Sequence, residues 1–299
     1  MYWVDRANAG RLLADKAENN AVKRLNAVLR QNLSDVIKQI EQFDLKYLKE
    51  NLTEQQRQAL LARLRRTSDY YIRDIYLKRL YNTDLKLYRI DRLEQLRAEI
   101  QMKLTEMTDE QSSVIDGTLM KAGQQSYDNL NEGLSEKYGI KLHAISKNTI
   151  RTLANTAWAG EDNWSARIWK DRKALGYLLD DVLKTGVAQG SSLDKISKQI
   201  REKFNTSTYN AMRLVRTETT HIHEQSAMLF YKDTGCKKYR FLAYLDEKTS
   251  DVCKEHNRKM FLVSEAKVGV NYPPLHPNCR STTAPVIDVA ELWKKYDKD

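Results

Sequence analysis

VKRLNAVLRQNLSDVIKQIEQF, residues 22–43, places its apolar side chains at Val22, Leu25, Leu29, Leu33, Val36, Ile40 and Phe43. Steps of three and four residues line these groups along one side of a helix, as in a coiled-coil seam. The pattern predicts a helix over about residues 11–48, ~55 Å long at 1.5 Å per residue. Outward from this stretch, all four prolines lie at Pro273 or later and glycine is sparse, so nothing upstream strongly breaks a helix. The chain therefore reads as mainly helical up to about Tyr231.

Thr53, Glu54, Gln55 and Gln56 form a capping box that opens a second helix, whose stripe runs Ile72, Tyr76, Leu80, Thr83, Leu87 and Ile90. Two long helices are expected to pair. Thr108 to Gln111 repeat the capping signal and are expected to start a third helix, with Gly133 and Gly139 bracketing loop-like sequence. A second unit is expected near Asn148, because Trp158, Trp164 and Trp169 cluster there and indoles anchor cores. Helices follow over about 175–187, 194–204 and 211–231. Only after Gly235 does the period change to alternation, with Tyr239, Phe241, Ala243 and Leu245 on one face and short strand candidates at 260–263 and 282–287. The fold class is mainly α with a small C-terminal β element (α+β). Long N-terminal helical rods occupy residues 1–147, and a helical domain spans 148–299 with a β/metal-type subdomain at about 236–287. The rods of residues 11–105 are expected to be the least globular part and to carry partner contacts.

The 299 residues are 41% hydrophobic and 30% charged, a foldable composition of about two domains. No run approaches the ~18–20 apolar residues of a membrane span, and the first segment lacks the apolar core of a secretory signal. Three cysteines, Cys236, Cys253 and Cys279, are too few for a disulfide framework and fit a reducing compartment. The net charge of +10 favours an anionic partner. Between Arg57 and Arg92, ten Lys/Arg face four Asp. Arg63, Arg65, Arg66, Arg73, Lys78 and Arg79, interleaved with tyrosines, are the candidate nucleic-acid contacts, with a solvated helix face as the alternative.

Cys253-Lys-Glu-His256 and His276-Pro-Asn-Cys279, with nineteen residues between the two histidines, are two ligand pairs at the spacing of a tetrahedral zinc site. Cys253, His256, His276 and Cys279 are expected to converge; four protein ligands leave no open position, so such a zinc is structural. The alternative is packed cysteines beside ordinary polar histidines. Arg216 and Glu218, followed by His221, His223 and Glu224, lack the i, i+4 histidines of a metal hydrolase. They are expected to form a buried, mutually satisfied ion pair. No phosphate loop, dinucleotide fingerprint or nucleophile elbow is present, which speaks against an enzyme.

The ordered series Trp158…Trp164-Ser-Ala-Arg167-Ile-Trp169, Gly190-Ser-Ser, Arg216-Thr-Glu218, Tyr231…Gly235, Asp246 to Cys253, and Pro273-Pro-Leu-His276-Pro-Asn-Cys279-Arg280 resembles the minor head, or head-morphogenesis, proteins of tailed bacteriophages, the phage Mu F-like family. The resemblance covers about residues 150–287. It implies a non-enzymatic minor capsid protein that joins the procapsid in the host cytoplasm, beside the portal protein and in reach of scaffold or major capsid protein. It also implies a place inside the virion and a part in DNA packaging or delivery. Arg216 and Glu218 match the family's Arg-Thr-Glu core, and Asp246, Cys253, Pro274, His276, Pro277, Cys279 and Arg280 match its C-terminal signature. His256 stands where many members carry a non-ligand residue. Some relatives carry a toxin or nuclease domain after this region; here about a dozen residues follow Val286, too few for one. The competing readings are a metal-dependent nuclease built on His256, Asn257 and His276, and a pure DNA-binding module.

Overall fold

A computed structural model describes residues 1–42, 52–81, 92–158, 160 and 162–296. It is 73% helical, and among the described residues nine helices accompany one small antiparallel sheet. The mainly α, α+β reading holds. Packing divides the chain into two compact units, residues 1–23 with 114–167 and 211–299, and residues 24–113 with 168–210. These units cut across the expected division at residue 147, because long helices contribute residues to both.

Helix α1 (Tyr2–Glu41) opens the chain. Its buried stripe runs through Ala7, Ala14, Ala17 and Ala21 in the first unit, then Leu25, Leu29, Val36 and Ile40 in the second. Small residues allow backbones to approach and the larger ones fill a core. Leu33 is only half-buried, and Asn32 takes the inner position with its amide donating to Val28 O. The rods are thus long, as expected, but their apolar faces are covered rather than free.

The capping box forms as read: Thr53 caps the Gln56 amide and the Gln56 side chain accepts from Thr53 N, starting α2 (Glu54–Leu64). The expected continuous second helix is interrupted, because Asp69 Oδ1 accepts the Tyr71 and Ile72 amides and starts a new helix, α3 (Tyr70–Tyr81). Leu60, Leu61, Leu64, Ile72, Tyr76, Ala98 and Met102 form the core there. Of the expected stripe, Thr83, Leu87 and Ile90 and the side chain of Leu80 lie outside the described residues.

The third helix, α4 (Arg92–Tyr138), begins well before Thr108. Thr108 sits inside it with its hydroxyl donating to Leu104 O, so the second capping signal is not a helix start. Gly133 is helical too, and the helix ends before Gly139, whose φ of +69° suits glycine. Gly123 of α4 lies where a Cβ would meet Ile150 Cγ2 at 2.8 Å, Ile222 Cγ1 at 3.0 Å and Ser226 Oγ at 3.1 Å. Gly123→Ala gains up to ~1 kcal/mol of helix propensity, but overpacking of this kind costs ~1–3 kcal/mol. The fully buried branched neighbours leave little room to relax, so a net loss of about 1–2 kcal/mol is expected in urea unfolding; an unchanged or raised midpoint contradicts this packing.

Ser146 caps α5 (Lys147–Asn155), and α6 (Trp164–Ala188) and α7 (Leu193–Thr234) complete the long helices. Gly235, at φ +72°, ends α7, while Cys236 N returns to Tyr231 O at 2.8 Å. The chain then enters β1 (Lys238–Leu242), which pairs antiparallel with β2 (Met260–Leu262) on one side and β3 (Thr282–Val286) on the other. Tyr239 and Phe241 face inward and are fully buried, as the alternation predicts. Pro285 is tolerated because β3 is an edge strand. The short helix α8 (Asp251–His256) lies between β1 and β2 in the chain, and α9 (Val289–Tyr296) closes it.

Candidate metal centre

Ser250 caps α8 by accepting from Cys253 N, and the cap sets the thiol of Cys253 inward. Phe241 of β1 packs with Cys253 and Cys279 beneath the sheet. The Cys253 and Cys279 sulfurs are 3.8 Å apart, and Cys253 Sγ is 3.3 Å from His276 Nε2. All three donor atoms lie within 4.8 Å of one another. A tetrahedral zinc, with Zn–S ~2.3 Å and Zn–N ~2.0–2.1 Å, requires S···S edges of ~3.8 Å and S···N edges of ~3.5 Å. The residues present fit such an ion.

The protonation pattern agrees. His276 Nδ1 lies 2.8 Å from Pro277 O, and a carbonyl only accepts, so Nδ1 carries the hydrogen and Nε2 keeps its lone pair toward the thiols in the neutral ring. Such a backbone-held imidazole is the usual support of a metal-binding histidine. The hydrogen bond from the Cys253 thiol holds the Cys279 thiol far below its ordinary range. The Cys253 thiol is raised, first by its bond to Cys279 and then by burial. His276 is raised by the Cys279 bond.

His256 does not join. Its Nδ1 sits 2.7 Å from Val252 O, and its ring stacks on Phe261 at 5.6 Å. Of the four predicted ligands, the structure brings three together, Cys253, His276 and Cys279. Cys and His three apart on a one-and-a-half-turn helix share a face only loosely, and the aromatic neighbours take the imidazole. Ser250, which sequence reading passed over, lies 2.8 Å from His276 Nε2 through its hydroxyl.

Asp246 and Arg280 pair at 2.6 Å and tie the loop before α8 to the residue after Cys279. Arg280 also lies 4.5 Å over the Tyr244 ring. The Arg280 hydrogen bond pushes the Asp246 carboxyl down to about 2.

Arg216 and Glu218 are not a pair. Glu218, 2% exposed, accepts from Arg167 Nη1 at 2.8 Å and from Trp158 Nε1 at 3.1 Å. Arg216, whose side chain is 41% exposed, approaches Glu18 at 3.5 Å. Residues two apart on a helix point to different sides. The threonines between and after them hold the site instead: Thr217 Oγ1 accepts from Asn278 N at 3.0 Å, and Thr220 Oγ1 donates to Cys279 O at 2.7 Å. Helix α7 is thus the wall onto which the His276 to Cys279 turn is fastened.

The neighbouring groups of α7 are also structural in placement. Glu224, fully buried, accepts from Thr282 Oγ1 at 2.7 Å and Thr283 Oγ1 at 2.6 Å, joining α7 to β3. His221 stacks on Trp158 at 4.7 Å. Burial pushes Glu224 up from 4.5 to about 7 and both His221 and His223 down from 6.5 to about 3. For Glu224 the folded value is the higher one, so its contribution is fully present below pH 4.5 and is lost as pH rises through about 7. The histidines have the lower folded value; theirs is present above 6.5 and lost as pH falls toward about 3. Glu224→Gln, compared with the parent by urea unfolding, is expected to gain about 3 kcal/mol between pH 4.5 and 8. A difference independent of pH contradicts a charge-bearing buried carboxyl.

Of the candidate nucleic-acid contacts, Arg63 pairs with Glu99 at 2.9 Å, Arg65 and Arg66 are exposed, and Arg73 lies 4.2 Å over the Tyr70 ring. The side chains of Lys78 and Arg79 lie outside the described residues. No described helix is long and apolar enough to cross a membrane.

A family model described as "Phage Mu protein F like protein" matches residues 178–284, which include α7, β1, β2, the start of β3 and Cys253, His276 and Cys279. The chain is 27% identical over 215 residues to a protein of Enterococcus faecalis named NAD(+)--arginine ADP-ribosyltransferase EFV, covering 67% of this chain and 44% of that protein. It is 22% identical over 186 residues to an uncharacterized protein of Haemophilus influenzae, covering 62% of this chain and 41% of that one. The chain thus spans less than half the length of both relatives. No solved structure matches it. Across residues 178–284, the chain is similar to the phage Mu F-like proteins.

Proposed function

We propose that this chain is a minor capsid protein of a tailed phage, acting in head morphogenesis without catalytic turnover and docking beside the portal protein. The observation that carries the reading is the coincidence of the family match with the α7 wall, the sheet and the Cys253, His276 and Cys279 cluster. Scaffold or major capsid protein are further contacts in this reading. It places the chain in the host cytoplasm during assembly and in the capsid interior afterwards, with a part in DNA packaging or delivery. In this reading a zinc held by Cys253, His276 and Cys279 fastens α8 to the turn before Arg280, and its fourth position is left to a water.

A nuclease on His256, Asn257 and His276 finds no support in the geometry. His256 packs on Phe261, Asn257 Oδ1 accepts from Ala243 N at 3.1 Å, and His276 faces thiols. Plasmid incubated with the protein and Mg2+ or Mn2+ is expected to stay intact; cleavage lost in His276→Ala overturns the non-enzymatic reading. Arginine ADP-ribosylation, the activity in the name of the Enterococcus faecalis protein, is tested by incubation with NAD+ and an arginine-rich acceptor, and none is expected. The reading itself is tested by pull-down of the portal protein. Portal binding is expected to persist at about 1 M salt, where the Debye length is about 3 Å and purely electrostatic contacts fade. Loss of portal binding under all salt conditions contradicts it.

A further inference from the structure

Within the unit of residues 24–113 and 168–210, a pocket of about 270 Å³ opens between α3, α4 and α6. Tyr71 of α3 and Tyr177 of α6 stand at it, 47% and 54% exposed, with their hydroxyls 2.9 Å apart. Lys173, one turn before Tyr177, brings Nζ to 5.0 Å and 6.0 Å from the two ring centroids. Ile72 and Ile75 supply apolar wall, and Lys184 adds a second ammonium bonded to Asp180 at 2.7 Å.

A second, independent feature lies in the same lining. Arg172 is almost completely buried, pairs with Asp69 at 3.0 Å and donates to Gln101 O and Thr105 Oγ1. Its Nε–H has no hydrogen-bond partner among the described residues. A buried donor left unmade costs free energy that an acceptor on a ligand or a water removes.

Open aromatic faces recognise flat π-systems, and an ammonium beside them recognises an anion attached to that π-system. A nucleotide unit combines both. We propose that this pocket takes a nucleotide of a single-stranded nucleic acid, its base on the Tyr71 and Tyr177 pair and its phosphate against Lys173 and Lys184. A duplex keeps its bases inside the stack and offers the tyrosines no face. The inference goes beyond the head-assembly reading and does not rest on it; from the stretch between Arg57 and Arg92 it takes the ring of Tyr71, while its cations come from α6.

The test is fluorescence anisotropy of a labelled twelve-residue oligothymidylate titrated with the full chain at fixed salt. Saturable binding is expected. The double variant Tyr71→Ala with Tyr177→Ala is expected to weaken it about tenfold or more, the range for one lost base stack. Tyr71→Phe with Tyr177→Phe keeps the ring faces and is expected to bind as the parent does. Both tyrosines are exposed, and circular dichroism melting of each variant checks that the fold is kept. Competition with dTMP separates the two sources of the same chemistry: an oligomer bound more tightly than dTMP assigns a strand, equal affinity assigns the free nucleotide, and either supports the pocket. Absence of saturable binding overturns it. So does equal binding by the alanine variant, even where that protein still holds duplex DNA through its basic face.

Discussion

Cys279→Ser is expected to remove bound metal and to loosen the C-terminal sheet while the long helices stay formed. Structural zinc contributes an apparent ~10–16 kcal/mol in small zinc domains, which makes this the largest effect of any single substitution considered. Protein purified without chelator is expected to carry one zinc per chain by elemental analysis, and Cys279→Ser none. Hydrogen exchange of the Tyr239 and Phe241 amides is expected to rise toward the unfolded rate, with α1 unchanged. Cys236→Ser is the control. That thiol lies outside the cluster and bonds to Lys238 O and Val286 O, contacts that a hydroxyl also makes. If the parent carries no metal and Cys279→Ser melts with it, the cluster is only a pair of packed thiols beside a histidine.

Arg167→Ala is the second large effect. It leaves the Glu218 carboxylate buried with, among the described residues, the Trp158 N–H as its remaining side-chain donor. Removing one partner of a buried pair costs ~3–5 kcal/mol, and burial already raises the Glu218 carboxyl. A loss of about 3 kcal/mol is expected in urea unfolding at pH 7. Arg216→Ala removes a half-exposed side chain at 3.5 Å from Glu18 and is expected to cost under about 1 kcal/mol. The reverse ranking contradicts the assignment of Arg167 as the partner of Glu218.

The contrast between these two arginines shows what the sequence carried and what it did not. Periodicity gave α1 because a buried stripe must repeat with the helix, whatever covers it. The Thr53 box gave α2 because its bonds are local. The same four-residue signal at Thr108 misled, since a threonine inside a long helix satisfies its hydroxyl on the i−4 carbonyl and leaves no mark in the sequence. The strand alternation at Tyr239 and Phe241 was legible for the same local reason as α1. The ligand spacing was legible for Cys253, His276 and Cys279 but not for His256, whose place is decided by Phe241 and Phe261 across the sheet. Arg167 and Trp158 lie 51 and 60 residues from Glu218, and no local rule joins them. That Arg216 and Glu218 do not meet was legible in principle, from the angle between positions two apart on a helix. Thr217 was the informative member of that triplet, because its side chain reaches the turn that carries His276 and Cys279.

The proposed role makes this chain a component of the phage head. Quantitative mass spectrometry of purified procapsids and mature particles tests it most directly. The chain is expected in procapsids at a few copies per portal, resistant to high-salt washing. Its absence from both particles, with the protein present only in the soluble fraction of the lysate, contradicts that role.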